Sequence, residues 1–187
     1  NILDVRLALK CSAGREDMLQ KVLGGHGRVG NDHPIAPANR YYAGDLPQRT
    51  YDPERAKFHL KKAGAEGLKV DLHAADSAFQ GAVDAATLFS EHASRAGINV
   101  NVIREPNDGY WSNVWTKKRF VMCFWQGRAT EDWMFSQVYA STAKWNDTHW
   151  KNEKFDTLLL AARGELDEAE RRDMYREMQL LVSDDGG

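Results

Sequence analysis

Residues 124–135, FWQGRATEDWMF, combine aromatic and charged side chains in a way that suits neither a core strand nor an ordinary surface loop. Tryptophan offers a large flat surface with one hydrogen-bond donor and is favoured in binding sites. Ligand pockets are lined by aromatic side chains and a few placed polar groups. We therefore predict that this segment forms one wall of a ligand cleft, most of which lies outside the chain. The candidate ligand-binding residues are Trp125, Arg128, Thr130, Asp132 and Trp133.

A second candidate is GHGRVG at residues 25–30, which matches the dinucleotide-binding pattern G-x-G-x-x-G. That chemistry requires a strand before the glycines and a helix N-terminus after them, where the pyrophosphate is held. Here a predicted helix precedes the motif, and the loop sequence NDHP follows it. We interpret the motif as a hinge-like loop and not as a nucleotide site.

A metal site is conceivable at His26, Asp32 and His33, because imidazole and carboxylate suit several divalent ions. No regular element fixes the directions of these side chains, and no later cluster completes a ligand set. Polar groups of an exposed loop are the simpler interpretation. A metal-dependent hydrolase that uses these residues stays open as an alternative.

No side chain stands in a recognisable catalytic context. The chain has no Gly-x-Ser-x-Gly nucleophile elbow. His59 and His92 lie on predicted helices without an acidic partner at a fixed spacing, and His73 falls on the polar face of a predicted strand. Cys11 and Cys123 match no metal spacing, so two buried thiols are the simplest interpretation. We predict neither an enzymatic activity nor a cofactor.

Composition narrows the range of partners. The 187 residues carry 25 Lys and Arg against 27 Asp and Glu, a formal net charge of -2. This balance gives no reason to expect nucleic acid or an anionic membrane surface as a partner. No apolar run reaches the ~20 residues that a membrane-spanning helix needs, and no signal peptide is recognisable.

Caps and periodicity predict the elements of the first half. DVRLALKCS and REDMLQKVL predict two short helices, and periodicity then disappears from Gly24 to Thr50. So long a loop is unusual in a compact domain without a purpose. Asp52 as N-cap, Pro53 in the first turn and Gly64 at the end delimit a third helix.

Strands and helices alternate in the second half. GLKVDLHAA, INVNVI and RFVMCFW predict three strands, with helices near 77–96 and 108–116 between them. Short connections favour a parallel or mixed α/β sheet. Helices are predicted again at 154–163 and 167–183, the second with a capping box that starts at Asp167.

The six tryptophans fall within one short stretch of sequence. Trp111 and Trp115 are one helical turn apart, which predicts two core residues. The others flank loops, and we expect at least one of them to line a ligand pocket. They are Trp125, Trp133, Trp145 and Trp150.

Three separated blocks resemble one known family. DVRLALKCSAGREDMLQKVLGGHG, YDPERAKFHLKKAG and NEKFDTLLLAARGELDEAERRDMYREMQLLVSDD are similar, in this order, to patterns of the dipeptide/oligopeptide-type solute-binding proteins of ABC transporters, family 5. The resemblance covers nearly all of the chain. One departure is Gly14, which stands before Arg15 where the family has Asp, and we interpret it as structural.

The resemblance implies an α/β fold, the C-terminal lobe of a periplasmic-binding-protein-like type II fold, with a central mixed sheet flanked by helices. Residues 1–50 would form helices and a long connecting loop at the lobe boundary. Residues 51–187 would form the ligand-binding lobe, truncated at both ends relative to the family. The parent would be a periplasmic monomer that closes on a small-molecule or peptide ligand and delivers it to an ABC permease in the membrane.

The resemblance also gives the aromatic segment a role. In peptide-binding members a W-x-x-D segment follows a strand, and its Asp pairs with the free amino group of the peptide. Trp125 matches that Trp, while Arg128 stands at the Asp position. The resemblance therefore implies a ligand that offers a carboxylate, phosphate or other acceptor to Arg128. The alternative is an exposed Arg128 that pairs with Glu131 or Asp132. A ligand-sensing domain of a transcriptional regulator is a second function open to the same fold.

Overall fold

The computed structural model describes residues 2–186, which fold into eight α-helices and two β-strands. These elements are α1 (Leu3–Cys11), α2 (Arg15–Lys21), α3 (Pro53–Lys62), β1 (Lys69–Ala74), α4 (Ala82–Ser94), β2 (Asn99–Arg104), α5 (Tyr110–Asn113), α6 (Glu131–Val138), α7 (Glu153–Gly164) and α8 (Glu168–Asp184). They fall into two compact units. Unit 1 comprises the chain up to Gly30 together with Arg49–Phe124, and unit 2 comprises Asn31–Gln48 together with the chain from Trp125 onward.

Unit 1 contains the sheet. Strands β1 and β2 pair in parallel, from Lys69 opposite Asn99 to Ala74 opposite Arg104. Helix α4 makes the crossover between them, as parallel pairing requires. Leu72 is buried while its neighbours are partly exposed, so the alternation predicted for β1 is confirmed. The α/β class is confirmed as well.

The third predicted strand is reduced to a single bridge. Val121 pairs in parallel with His73, which donates its N–H to the Phe120 carbonyl and accepts the N–H of Met122. The Tyr110 hydroxyl then donates to the Met122 carbonyl at 2.6 Å. The carbonyl that would continue the ladder is thus hydrogen-bonded by a side chain and not by a second strand pair. The prediction of three full strands was therefore wrong for RFVMCFW.

Two helices are shorter than predicted, and a glycine sets the start of each. Helix α4 begins at Ala82 and not near residue 77, because Gly81 before it has a φ of 83°. Gly109, with a φ of 76°, likewise delays α5 to Tyr110. These left-handed conformations are open to glycine at little cost and interrupt the right-handed helix. Residues 75–81 form turns instead.

The core of unit 1 lies between the sheet and helices α1, α3 and α4, and the caps predicted for α3 are present. Leu60, Leu72 and Ile98 are almost fully buried there. Asp52 accepts the N–H of Arg55, and Pro53 opens the helix. These local signals act within one turn, which is why the sequence predicts them well.

Gly14 lies against a side chain from a distant helix. A Cβ built on Gly14 would lie 2.6 Å from Cε1 of His92, closer than real contacts permit. The Gly14 N–H also donates to His92 Nδ1 at 3.2 Å. This close approach supports the structural interpretation of the glycine that replaces the family's Asp.

Unit 2 is built on helices α6, α7 and α8. Its centre is an aromatic cluster in which Phe135 packs edge-on against Phe155, with ring centroids 5.2 Å apart, and stacks on Tyr175. Asn152 caps α7, and Asp167 caps α8 by accepting the N–H groups of Ala169 and Glu170. The helices predicted at 154–163 and 167–183 are confirmed.

Residues 31–48 lack helix and strand, as predicted, yet buried side chains hold their backbone. Gln179 of α8 accepts the N–H of Ala43 at 2.9 Å and donates to the Tyr41 carbonyl at 2.8 Å. Ser183 donates to the Asn31 carbonyl. We call residues 31–48 the strap. The boundary predicted between residues 50 and 51 concerns the lobes of a longer parent protein. The two compact units divide the chain at other positions and do not test that boundary, so it stays a prediction.

The tryptophan and cysteine predictions are correct only in part. Trp111 and Trp115 were expected in the core, but Trp111 is 40% exposed and Trp115 is half-buried, while Tyr110 is the α5 residue that is fully buried. Trp150 is buried in unit 2. Cys11 is buried and Cys123 half-buried, and neither forms a disulfide. In the part of the chain that the structure describes, no helix is both long and apolar enough to cross a bilayer.

Candidate functional site

The five predicted site residues lie in unit 2, on the segment that leads into α6 and on the first turn of that helix. The chain from Met122 to Arg128 has no regular structure, and α6 begins at Glu131. Thr130 is the N-cap, and its Oγ1 accepts the N–H of Trp133 at 3.2 Å. The cap fixes the direction of the first helical turn. It therefore also fixes where the Trp133 side chain leaves the helix.

Arg128 lies between two aromatic rings. Its guanidinium carbon lies 6.0 Å from the centre of the Trp125 ring and 5.8 Å from that of Trp133. Nε donates to Gln137 Oε1 at 2.7 Å, and one terminal nitrogen donates to the Gln126 carbonyl at 2.7 Å. The rings and the neutral acceptors orient a positive charge without cancelling it.

Arg128 has no carboxylate partner among residues 2–186, so the ion pair posed as the alternative is not formed. Glu131 is buried, and its Oε1 accepts the N–H of Tyr41 at 2.6 Å. Asp132 pairs with Arg163 of α7, with 2.7 Å between Oδ1 and Nε. Both neighbouring carboxylates are therefore engaged elsewhere, which leaves the Arg128 charge uncompensated.

A third tryptophan extends the aromatic surface. The ring centres of Trp125 and Trp145 are 6.2 Å apart, and Trp125 Nε1 donates to Asp147 Oδ2 at 3.3 Å. Trp133 is 53% exposed and Trp145 41% exposed. Exposed aromatic rings that lie together form an apolar patch, and such patches often mark binding surfaces. The surface thus combines apolar rings with one oriented cation.

Sequence reasoning missed two residues that hold this arrangement. Gln137 lies two turns into α6 and binds Nε of Arg128. Asn39, in the strap, donates from Nδ2 to the Arg128 carbonyl at 3.2 Å. Neither spacing is a recognised motif, and the second contact spans 89 residues. Only the folded chain brings these groups together.

Three histidines of unit 1 have acidic partners that are distant in sequence and that no fixed spacing could reveal. His59 Nδ1 lies 2.8 Å from an oxygen of Asp4, and His73 Nδ1 lies 2.6 Å from one of Glu105. The hydrogen bond from His59 is the main reason that the pKa of Asp4 lies below its usual value. These pairs join separate elements of unit 1.

His92 forms the third pair. Because Nδ1 accepts the Gly14 N–H, Nε2 carries the proton that faces Asp17 at 3.0 Å. Asp17 also pairs with Lys21, whose hydrogen bond is the largest cause of a lowered pKa at that carboxyl. No nucleophilic side chain completes this arrangement. It connects α2 to α4 and serves as a structural contact.

The metal hypothesis finds no support in residues 2–186. No group of three or more His, Cys, Asp or Glu side chains is arranged to hold an ion. His26, Asp32 and His33 are therefore not brought together as a ligand set. Burial lowers the pKa of His33, whose ring packs at a tilt against Tyr42 with 5.9 Å between centroids. The described residues therefore give the metal-dependent hydrolase no support.

Known proteins of similar sequence include proteins named for dipeptide and tripeptide binding. The Escherichia coli "Dipeptide-binding protein" is 26% identical over 189 residues, which cover 96% of this chain and 35% of that protein. "Di/tripeptide-binding protein 3" of Pseudomonas aeruginosa is 24% identical, over 97% of this chain and 36% of that protein. The chain thus spans about a third of the length of these relatives.

Solved structures share the fold. The Helicobacter pylori periplasmic binding protein DppA, in complex with the peptide STSA, superposes with a TM-score of 0.87 at 21% identity over 98% of this chain and 37% of that one. The oligopeptide-binding protein AppA of Bacillus subtilis, in complex with a nonapeptide, gives 0.80 at 21% identity, over 98% and 40%. At such identities the likeness concerns the fold alone.

The family model described as "Bacterial extracellular solute-binding proteins, family 5 Middle" matches residues 1–149, most of the chain. The three blocks that suggested the family extend across that range and beyond it. The sequence resemblance, the shared fold and the family match agree. The chain belongs to the family 5 bacterial extracellular solute-binding proteins.

Proposed function

We propose that the chain is the ligand-contacting part of the substrate-binding component of an ABC importer. The whole protein would capture a peptide-like or other small solute in a cleft and deliver it to a membrane permease. Family membership supports this role, as do relatives named for dipeptide binding. The protein would act in the periplasm as a monomer, without chemistry of its own.

One observation carries the proposal about the site: the Arg128 guanidinium lies between Trp125 and Trp133 and has no carboxylate partner in the described chain. A fold rarely leaves an oriented, partly buried charge uncompensated, because desolvating it costs free energy. A ligand anion would supply the missing charge through a bidentate contact. The rings would contribute apolar contact beside it.

The five predicted residues carry this proposal unequally. Trp125, Arg128 and Trp133 present surface and charge to a ligand. Thr130 uses its hydroxyl as the helix cap, and Asp132 is paired with Arg163. We expect these two to support the site by holding α6 in place.

The resemblance assigns the Arg128 position to the reader of a peptide's amino end. We therefore propose that the ligand presents an anionic or acceptor group there, in place of a free ammonium. A small peptide whose amino end is acylated by a dicarboxylic acid has this chemistry. A free-amine peptide would instead place like charges next to each other, which is costly in a desolvated site.

The experiment is calorimetry on the protein expressed from its complete gene, with three probes that differ only at the amino end. They are alanylalanine, N-acetyl-alanylalanine and N-succinyl-alanylalanine. We expect the succinylated probe to bind at least about tenfold more tightly than the free amine. Equal affinities, or a preference for the free amine, would contradict the anion contact.

A further inference from the structure

The strap contains a turn that is held in place at Tyr41 and Ala43. Tyr41 stacks on Tyr175 with 5.0 Å between ring centroids and an interplanar angle of 11°. Gln179, fully buried, binds the Tyr41 carbonyl and the Ala43 N–H. Buried, satisfied amides of this kind fix a backbone in one conformation. The residues just before Tyr41 are consequently presented in a defined position.

Asn39 bridges this turn to the aromatic segment. Its Oδ1 accepts the N–H of Ala36 at 3.1 Å, and its Nδ2 donates to the Arg128 carbonyl at 3.2 Å. Two residues later, the Tyr41 N–H donates to the buried carboxylate of Glu131. Two hydrogen bonds from one rigid turn therefore hold the segment from Arg128 to Glu131.

The local contacts of the segment at Arg128 come from the arginine side chain itself, which donates to the carbonyls of Gln126 and Gly127. Gly127 precedes it, and apart from its chain neighbours no heavy atom lies within 4 Å of where a Gly127 Cβ would be. Glycine leaves a segment conformationally free unless other contacts restrain it. The Asn39 bond supplies such a restraint from outside the segment. Once the carbonyl is fixed, the guanidinium can stay between its two rings with its Gln137 bond intact.

We propose that Asn39 is a positioning residue for ligand recognition, which acts through Arg128 without contacting the ligand. This proposal rests on the proposed function of Arg128 as the anion contact. It assigns a function to the strap, whose length had no explanation in the sequence. Misplacement of a recognition group by a fraction of an ångström is enough to weaken binding.

The test uses two substitutions in the protein expressed from its complete gene. Asn39→Ala removes both hydrogen bonds of the side-chain amide without changing the charge. Asn39→Asp keeps the acceptor for the Ala36 N–H and loses the donor to the Arg128 carbonyl. We expect each to weaken binding of N-succinyl-alanylalanine about tenfold, the effect of one lost hydrogen bond. Asn99→Ala, at an exposed strand position in unit 1, is the matched control and should bind as the unsubstituted protein does.

A double-mutant cycle separates positioning from a general structural effect. In an Arg128→Ala background, Asn39→Ala should no longer change the affinity, because the group it positions is absent. An equal loss in both backgrounds would overturn the proposal, and so would unchanged affinity in the single variants. Weak binding by Asn39→Ala with unchanged binding by Asn39→Asp would overturn it too, since the bond to Ala36 would then be the relevant one.

A ligand-free measurement keeps this proposal distinct from the function itself. If Arg128→Ala binds the probe as well as the unsubstituted protein, the anion contact fails. The position of Arg128 can still be followed without ligand, through the Nε–H resonance of Arg128 in ¹⁵N-labelled protein that keeps this arginine. We expect that resonance to shift or broaden in both Asn39 variants and to stay in place in Asn99→Ala. An unmoved resonance would show that Asn39 does not position Arg128.

Discussion

The titratable side chains of unit 1 and the arginine of the candidate site in unit 2 have different kinds of bonding partner. In unit 1, His59, His73 and His92 each lie within 3.0 Å of a carboxylate that comes from another element. In unit 2, Arg128 is bound by neutral acceptors and rings, and no carboxylate of residues 2–186 pairs with it. The sequence singled out Arg128 by its aromatic neighbours, whereas the three histidines stood there without a visible partner.

The difference separates groups that hold the fold from a group that is available to a ligand. A histidine bonded to a carboxylate has its polar partner already and fixes the distance between two elements. An oriented guanidinium between aromatic rings retains a charge that a ligand can complement.

Removing the unpaired charge should have the largest effect. Arg128→Ala is expected to cost about 2–5 kcal/mol of binding free energy for N-succinyl-alanylalanine, because a desolvated charge-assisted contact is lost. Calorimetry on the protein from its complete gene measures this loss. Arg176→Ala is the matched control, since Arg176 pairs with Asp45 at an exposed position and should leave the affinity unchanged. Similar losses in both variants would remove the distinction between the two kinds of charge.

A smaller effect is expected at the contact between Gly14 and His92 in unit 1. Gly14→Ala should lower the free energy of unfolding by about 1–3 kcal/mol, because the added methyl group collides with the His92 ring. Urea denaturation measures it, and Gly164→Ala, where nothing lies within 4 Å, is the control. The cost should largely disappear in a His92→Ala background. If it persists there, the collision is not its cause.

Acid should lower the free energy of unfolding of unit 1, because its paired carboxyl groups become protonated. We expect this effect to be smaller than those of Arg128→Ala and Gly14→Ala. The pKa values of Asp4 and Asp17 lie below the ordinary 3.8 in the folded chain. Since the folded pKa is the lower one, this stabilisation is present above about pH 4 and is lost as the pH falls through the folded value. The unfolding free energy, measured against pH, should therefore decline in that range.

The combined variant Asp4→Asn and Asp17→Asn should flatten this acid decline. Asp108→Asn, at an exposed loop position, should leave the slope as it is. An unchanged slope in the combined variant would mean that other carboxyl groups cause the acid effect.

Local signals predicted most of the elements. Asp52, Asp167 and Pro53 act within one helical turn, and the helices they begin are confirmed. The prediction of a third strand was wrong: only Val121 pairs with the sheet, and the next carbonyl, at Met122, is bonded by the Tyr110 hydroxyl from a separate segment. The start of α4 failed because Gly81 carries a left-handed φ that composition alone does not reveal.

The candidate site was predicted as a segment but not as an arrangement. The crowding of tryptophans around Arg128 marked the segment by its composition. The bonds that orient the arginine come from Gln137 and from Asn39, 89 residues away in sequence. The carboxylates of Asp4, Asp17 and Glu105 likewise reach their histidines only through the fold. Contacts at such separations have no periodic signature.

A charge reversal at position 128 tests most directly whether Arg128 reads the charge of the ligand. Arg128→Asp, in the protein expressed from its complete gene, is titrated with alanylalanine and N-succinyl-alanylalanine. If the charge at this position selects the ligand's end group, the preference should reverse, with the free amine gaining affinity and the succinylated probe losing it by at least about tenfold each. An unchanged ratio of the two dissociation constants, in a variant that folds normally, would contradict the claim that Arg128 reads the ligand's charge.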